Sequence, residues 1–189
     1  MQGMALNPHA FMTTMEKRVY FTDEDKAILK SQADWGLKIA PEMATHFYDY
    51  LGRDAEMAAI LNAEVGRVER LHKTFMQWFH EMFTGIDEWG DSYAERRWKI
   101  GIIHVRIGIA PQHVVPAMAK VIQEVLKLLH TDSKPPELQE ALMRICMIDL
   151  AFIEHAYAEV SKAAILNETG WSEGLFRRLV ITGASATNM

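Results

Sequence analysis

Imidazole has the widest chemical reach of any side chain in this sequence, because near neutral pH it can ligate a metal or carry a proton. The chain holds eight histidines: His9, His46, His72, His80, His104, His113, His130 and His155. Most sit where the surrounding sequence asks nothing of them. His9 lies in the leading segment, and His72, His80 and His130 have polar neighbours and read as surface residues. Glu69-x-x-His72 has the i, i+3 spacing of a di-iron ligand pair, but such a site needs that motif twice plus two further glutamates on partner helices. The second copy is absent. His80-Glu81 begins like a zinc-protease signature, yet its fifth position is Thr84, so the second imidazole that would grip zinc is missing. Neither a glycine-rich phosphate loop nor a G-x-S-x-G nucleophile elbow occurs, which leaves hydrolase and nucleotide-binding readings without support.

His104 stands apart. In the run Trp98-Lys-Ile-Gly-Ile-Ile-His-Val-Arg-Ile-Gly-Ile-Ala-Pro111 it is embedded among aliphatics, with Gly101 three residues before it and Gly108 four after. On a helix those spacings put both glycines on the imidazole's face. Each glycine inside a helix costs about 1 kcal/mol against alanine, so a pair on one face implies a reason. Close approach of something flat and rigid is one such reason, and a porphyrin plane held by the histidine fits it. A core histidine bonded to a backbone carbonyl fits the same spacing.

The elements that must position His104 are helical throughout. Thr22 followed by Asp23, Glu24 and Asp25 offers a hydroxyl cap with carboxylates in the first turn, ahead of Ala27, Ile28, Ser31, Trp35 and Ile39 at helical spacing. Pro41 is expected to open the next helix, with Met43, Ala44, Phe47, Tyr48 and Leu51 along one side and Gly52 closing it. After a short segment from Ala55 to Leu61, Val65, Val68, Leu71, Phe75, Trp78 and Met82 recur every three or four residues up to Gly85. Ser92-x-x-Glu95 reads as a capping box that opens a helix through Trp98 and His104 to about Ala110. Pro111 marks a break, 114–130 is another helical run, and Pro135-Pro136 begin a long last helix that stops near Gly170. That helix is apolar on more than one face, since Ala141, Cys146, Met147, Leu150 and Ala151 add to the stripe of Leu138, Leu142, Ile145 and Ile148. It reads either as a central core helix or as one covered on its far side by a second subunit.

Composition bounds the possibilities. With 189 residues the chain is one domain, and 49% hydrophobic against 24% charged residues is the balance of an ordinary folded protein. A net charge of −5 with dispersed Lys and Arg argues against nucleic-acid binding. One cysteine, Cys146, excludes an internal disulfide and a thiolate metal cage, which suits a reducing, cytoplasmic setting. The first thirty residues have no signal-peptide pattern, and no apolar run is long enough to span a bilayer. Twelve Met, five Trp and eight Phe against six Pro and eleven Gly suggest long helices around something large.

Arg97-x-x-Ile100-Gly101-x-x-His104-x-x-Ile107-Gly108-x-x-Pro111 resembles the proximal-helix signature of the globin-coupled sensors and protoglobins, the sensor lineage of the globin superfamily. Two more motifs follow the expected order. Phe47-Tyr48-x-x-Leu51 resembles the second-helix motif, and Arg70-Leu71-x-x-Thr74 with Met82-Phe83-x-Gly85 resembles the distal helix and the turn after it. The likeness runs from about residue 20 to 165. At one position the chain departs from the pattern: His113 stands where the family commonly places tryptophan.

The resemblance implies an all-α globin fold around haem b, with His104 as the proximal iron ligand. It implies that Tyr48 is the distal hydroxyl facing a bound gas, that Thr74 is a second distal polar group, and that Leu71 fills the place where many storage globins keep a histidine. Tyr48 with its hydroxyl in water, and Thr74 bonded back to its own helix, are the plainer readings of those two. Phe47, Phe75, Trp78 and Ile107 are candidates to line the pocket. Residues 1–19 are expected to be an N-terminal extension, 20–169 the haem-binding domain, and 170–189 a short tail with room for one amphipathic helix and no output domain. The tail composition leans toward a stand-alone sensor rather than the excised half of a longer chain. The implied function is a haem-based O2 sensor, able also to bind CO and NO, that acts through a homodimer of the last two long helices, without nucleic acid or membrane and with an unidentified downstream partner. A haem enzyme or an O2/NO-scavenging globin is the alternative, and a haem-free helical interaction module is a third.

Overall fold

The protein is described by a computed structural model over residues 7–186. Among these residues the secondary structure is helical: α1 (Pro8–Val19), α2 (Asp23–Ser31), α3 (Ala33–Leu51), α4 (Ala55–Leu61), α5 (Arg67–Thr84), a 3-10 turn (Gly85–Glu88), α6 (Asp91–Arg106), α7 (Pro111–Thr131), α8 (Pro136–Thr169) and α9 (Glu173–Ala186). None of these helices is long and apolar enough to cross a membrane.

Local sequence explains most of the boundaries. The Thr22 hydroxyl accepts the Asp25 N–H while the Asp25 carboxylate accepts the Thr22 N–H, so both orphan donors at the start of α2 are satisfied. Gly170, at φ 67°, adopts the left-handed conformation that ends α8.

Two expected boundaries differ. Pro41 lies inside α3 instead of opening a helix; the break falls at Gln32, between α2 and α3. The carbonyl that Pro41 leaves without a helical partner belongs to Leu37, which is exposed, so water can satisfy it. The Ser92-x-x-Glu95 capping box does not form: α6 starts at Asp91 after Gly90, with no side-chain cap. Tyr93 and Ala94 are fully buried, and drawing them into the core sets the start of this helix in place of the cap.

The 34-residue α8 is the spine of the molecule, packed by α1, α2, α6 and α7. Leu138, Leu142, Ile145, Ile148 and Phe152 on α8 join Met43 of α3 and Phe79, Met82 and Phe83 of α5 in one continuous core. Ala141 and Cys146 are buried within this chain, whereas Met143 and Met147 stay exposed on the opposite side of α8. The leading segment takes part in the core: Met12 of α1 is fully buried, and Phe11 stacks on His155 of α8 with ring centroids 4.5 Å apart.

Candidate functional site

The distinctive polar feature of the interior is a clasp that joins α5, α6 and α8. Asp149 of α8 is 2% exposed and Arg97 of α6 is 1% exposed. The Arg97 Nε lies 2.9 Å from the Asp149 Oδ2, the Trp78 indole N–H donates to the same oxygen at 2.9 Å, and the Tyr93 hydroxyl donates to Oδ1 at 3.0 Å. Arg97 also donates to Glu81 Oε2 at 2.7 Å and to the Trp78 carbonyl at 3.2 Å, with its guanidinium over the Tyr93 ring at 4.1 Å. Burial pushes the Asp149 carboxyl up, while Arg97 and the Tyr93 and Trp78 donors pull the other way. Charges this deep require pairing, and the partners here are drawn from three helices: Trp78 and Glu81 from α5, Tyr93 and Arg97 from α6, and Asp149 from α8.

The chain reverses between α5 and α6, so the stretches leading away from the clasp carry Leu71 and His104, each seven residues from it and about two turns along its helix. Beyond the clasp no hydrogen bond or ion pair among the described residues joins α5 to α6; the polar links between them all involve Trp78, Glu81, Arg96 or Arg97. His104 is half-buried, and its Nδ1 lies 2.9 Å from the Ile100 carbonyl oxygen. A carbonyl can only accept, so the proton sits on Nδ1 and Nε2 keeps a lone pair. Burial pushes the imidazole below its ordinary value, against the backbone bond, which favours the neutral ring that a metal needs. Ile103 and Ile107, close to His104 in sequence, are 40% and 45% exposed.

The two glycines of the signature have different causes from the one their spacing suggests. A Cβ on Gly101 would lie 2.8 Å from the Ala156 Cβ and 2.9 Å from the Phe152 carbonyl oxygen, so this glycine lets α6 lie directly on α8 and does not face a porphyrin. Gly108 lies past the end of α6 at φ 75°, with open space around it; it is the left-handed residue that terminates the helix. Close approach to a flat group is therefore not why either residue is glycine.

At the α3–α5 contact, Tyr48 of α3 is half-buried, stacks on His72 at 4.6 Å, and donates its hydroxyl to the Leu71 carbonyl at 3.1 Å. This corrects both a solvated Tyr48 hydroxyl and a plain surface His72. Phe75 is buried against Phe47, Tyr48, Trp78 and Phe79 and is core. Trp78 has its indole N–H committed to Asp149. Thr74 is exposed, and its hydroxyl donates to the Arg70 carbonyl of its own helix, as the plainer reading of that residue has it. Of the expected site residues, then, Tyr48 and Leu71 share one wall, His104 and Ile107 lie on α6 and its end, Phe75 and Trp78 support the α5 wall, and Gly101, Gly108 and Thr74 serve the backbone. His113 pairs with Glu56 at 2.9 Å.

Sequence reasoning missed Asp149 altogether. The signal available was a lone carboxylate in an otherwise apolar stretch of α8, at a position between Ile148 and Leu150 where the core pattern allows no charge.

The Protoglobin family model matches residues 10–163. The chain belongs to the protoglobin family. Among solved structures it is similar to the globin domain of the Geobacter sulfurreducens globin-coupled sensor, at 30% identity and a TM-score of 0.70, covering 77% of this chain and 97% of that one. The all-α globin fold follows for this protoglobin. The family match begins inside α1 and ends inside α8, so Phe11 and Met12 fall within it and α9 lies beyond it. A globin implies haem, and the chemistry of His104 in this protoglobin fits one: an imidazole that burial keeps neutral, with Nδ1 taken by the Ile100 carbonyl and Nε2 left to ligate.

Proposed function

We propose that this protoglobin is a haem-based oxygen sensor, with His104 as the proximal ligand to haem b and Tyr48 as the polar group on the gas-binding side. The observation that carries the reading is the Nδ1 contact of His104 with Ile100, which fixes the tautomer and turns a lone pair outward. Haem iron, when bound, supplies reversible ligation of O2, CO or NO. The chain does the rest. Leu71 and Ile107 keep water from the site, and Phe75 and Trp78 back the α5 wall. Buried Tyr48 holds its proton, because burial pushes the phenol well above its ordinary value, so it remains a donor at physiological pH.

Signalling is proposed to pass through a homodimer built on α7 and α8. Met143 and Met147, 42% and 36% exposed and one turn apart, form an apolar stripe on the outer side of α8, where two copies can meet on a two-fold axis. The gas would then bias a two-state equilibrium read at that interface. A cytoplasmic setting suits the reduced, buried Cys146.

Absorption spectra of the purified protein, ferric, reduced and oxygen-exposed, test the assignment. A five-coordinate ferrous spectrum that is lost in His104→Ala supports it, and retention of that spectrum in the variant places the ligand elsewhere. Slow autoxidation without ligand turnover when reductant is supplied supports sensing; rapid turnover supports the enzymatic alternative.

A further inference from the structure

We infer that Asp149 is a positioning residue for the haem site, acting through Trp78 and Arg97 to hold the α5 wall at its distance from His104; the inference rests on the proposed haem reading.

The ties are unequal on the two sides of the gap. α6 is fixed to α8 at successive points: Arg97 on Asp149, the backbone at Gly101 against Phe152 and Ala156, and, past the helix end, the Ile109 carbonyl on the Tyr157 hydroxyl. Contacts with α8 therefore determine the position of His104. The series of ties along α5 runs instead to α3, through Tyr48 at Leu71 and His72, Phe47 at Phe75 and Gly36 at Phe83. The polar links of α5 to α6 and α8 are Trp78, Glu81 and a weak sulfur contact of Met82 with Cys146, and Trp78 is held at both ends: the indole N–H by Asp149 and the carbonyl by Arg97. Because Asp149 also pairs with Arg97, one carboxylate sets the pivot from which Leu71 and His104 extend, each about two turns away. A small rotation at a pivot becomes a larger displacement two turns out, so loss of the Trp78 tie shifts the α5 wall relative to His104, which the Gly101 and Ile109 contacts still hold on α8.

The test compares three variants. Asp149→Asn keeps the shape of the side chain but sets its amide against the Trp78 and Arg97 donors. Trp78→Phe removes only the indole bond of α5 to Asp149 and leaves the ion pair. Asp25→Asn is the control for simple destabilisation: Asp25 is 5% exposed and pairs with Arg144 of α8 at 2.8 Å, away from the gap. The readouts are the rate of haem loss to an excess of a haem-scavenging apoprotein and amide hydrogen exchange of residues 67–76 in the haem-free protein.

Asp149→Asn and Trp78→Phe are expected to speed haem loss roughly tenfold, as expected when one hydrogen bond to a charged acceptor is lost, and to lower protection of 67–76. Asp25→Asn should stay within about twofold on both measures even where its melting temperature falls as far. Haem loss in Asp149→Asn that merely tracks Asp25→Asn, or unchanged haem loss in Trp78→Phe, overturns the inference. If Asp149→Asn does not fold, Trp78→Phe alone decides. If the wild type takes up no haem, the functional reading fails, and the exchange data still decide whether Asp149 positions α5.

Discussion

Replacing Tyr48 by phenylalanine removes one oxygen, and the structure says what that oxygen does at rest. It donates to the Leu71 carbonyl at 3.1 Å. To bond a polarised gas ligand the hydroxyl must give that contact up. A hydrogen bond to a charged acceptor is worth about 1.5–3 kcal/mol and a neutral one about 0.5–1.5 kcal/mol. The net gain from the switch is therefore about 1 kcal/mol, or roughly five- to tenfold in affinity, whereas a hydroxyl with no resting partner would give about 10- to 160-fold. Stopped-flow displacement of O2 should show Tyr48→Phe releasing oxygen roughly five to ten times faster. In the haem-free protein the same variant should cost about 0.5–1.5 kcal/mol in urea unfolding, the value of the Leu71 bond alone. The wild-type release rate should not change between pH 6 and 9 on account of Tyr48, because burial keeps the phenol protonated throughout that range. An unchanged release rate in the variant would show that the hydroxyl never leaves Leu71, and an acceleration beyond a hundredfold would show that the Leu71 bond does not compete.

Gly101→Ala should destabilise the haem-free protein by about 1–3 kcal/mol in denaturant unfolding despite alanine's better helix propensity, because two of the atoms its Cβ would meet, the Phe152 carbonyl oxygen and the Ile153 Cα, are backbone and cannot yield; a stabilised variant would mean that α6 and α8 are not in close contact there. Glu124 is held down to about 2 by hydrogen bonds from Lys120 and Lys127. Its folded value lies below the unfolded one, so its contribution is fully present above about pH 4.5 and is lost as pH falls toward 2. Urea midpoints of wild type and Glu124→Gln should converge over that window, and a difference independent of pH would remove Glu124 from the acid transition. Met147→Glu should shift the protein from dimer to monomer in sedimentation velocity without altering its ferrous spectrum; a dimer that survives the charge would place the interface elsewhere.

How far the sequence could be read depended on the range of the interaction involved. The Thr22–Asp25 box, the Gly170 stop and the apolar periodicity of α5 and α8 are local, and each appears where its residues predict. Ser92-x-x-Glu95 has the same kind of local pattern and does not form, because burial of Tyr93 and Ala94 outweighs what a surface cap contributes. The signature around His104 gave a reason for its glycines that the packing does not bear out. Spacing reports which face a residue occupies, but what lies against that face depends on a segment about fifty residues away, at Phe152 and Ala156.

The sequence by itself determined the helical class, the breaks at Pro111 and Gly170, and the family. Each rests on residue type and on spacing within a few turns. Only the tertiary structure decided that the His104 Nδ1 is occupied by Ile100, that the Tyr48 hydroxyl rests on Leu71, that Thr74 bonds back to its own helix, and that Asp149 sits at the centre of a buried clasp. The long-range ties at Tyr48 and Asp149 each join helices far apart in the chain. The His104 and Thr74 bonds each run four residues back along their own helix, and which rotamer makes them is not written in the spacing.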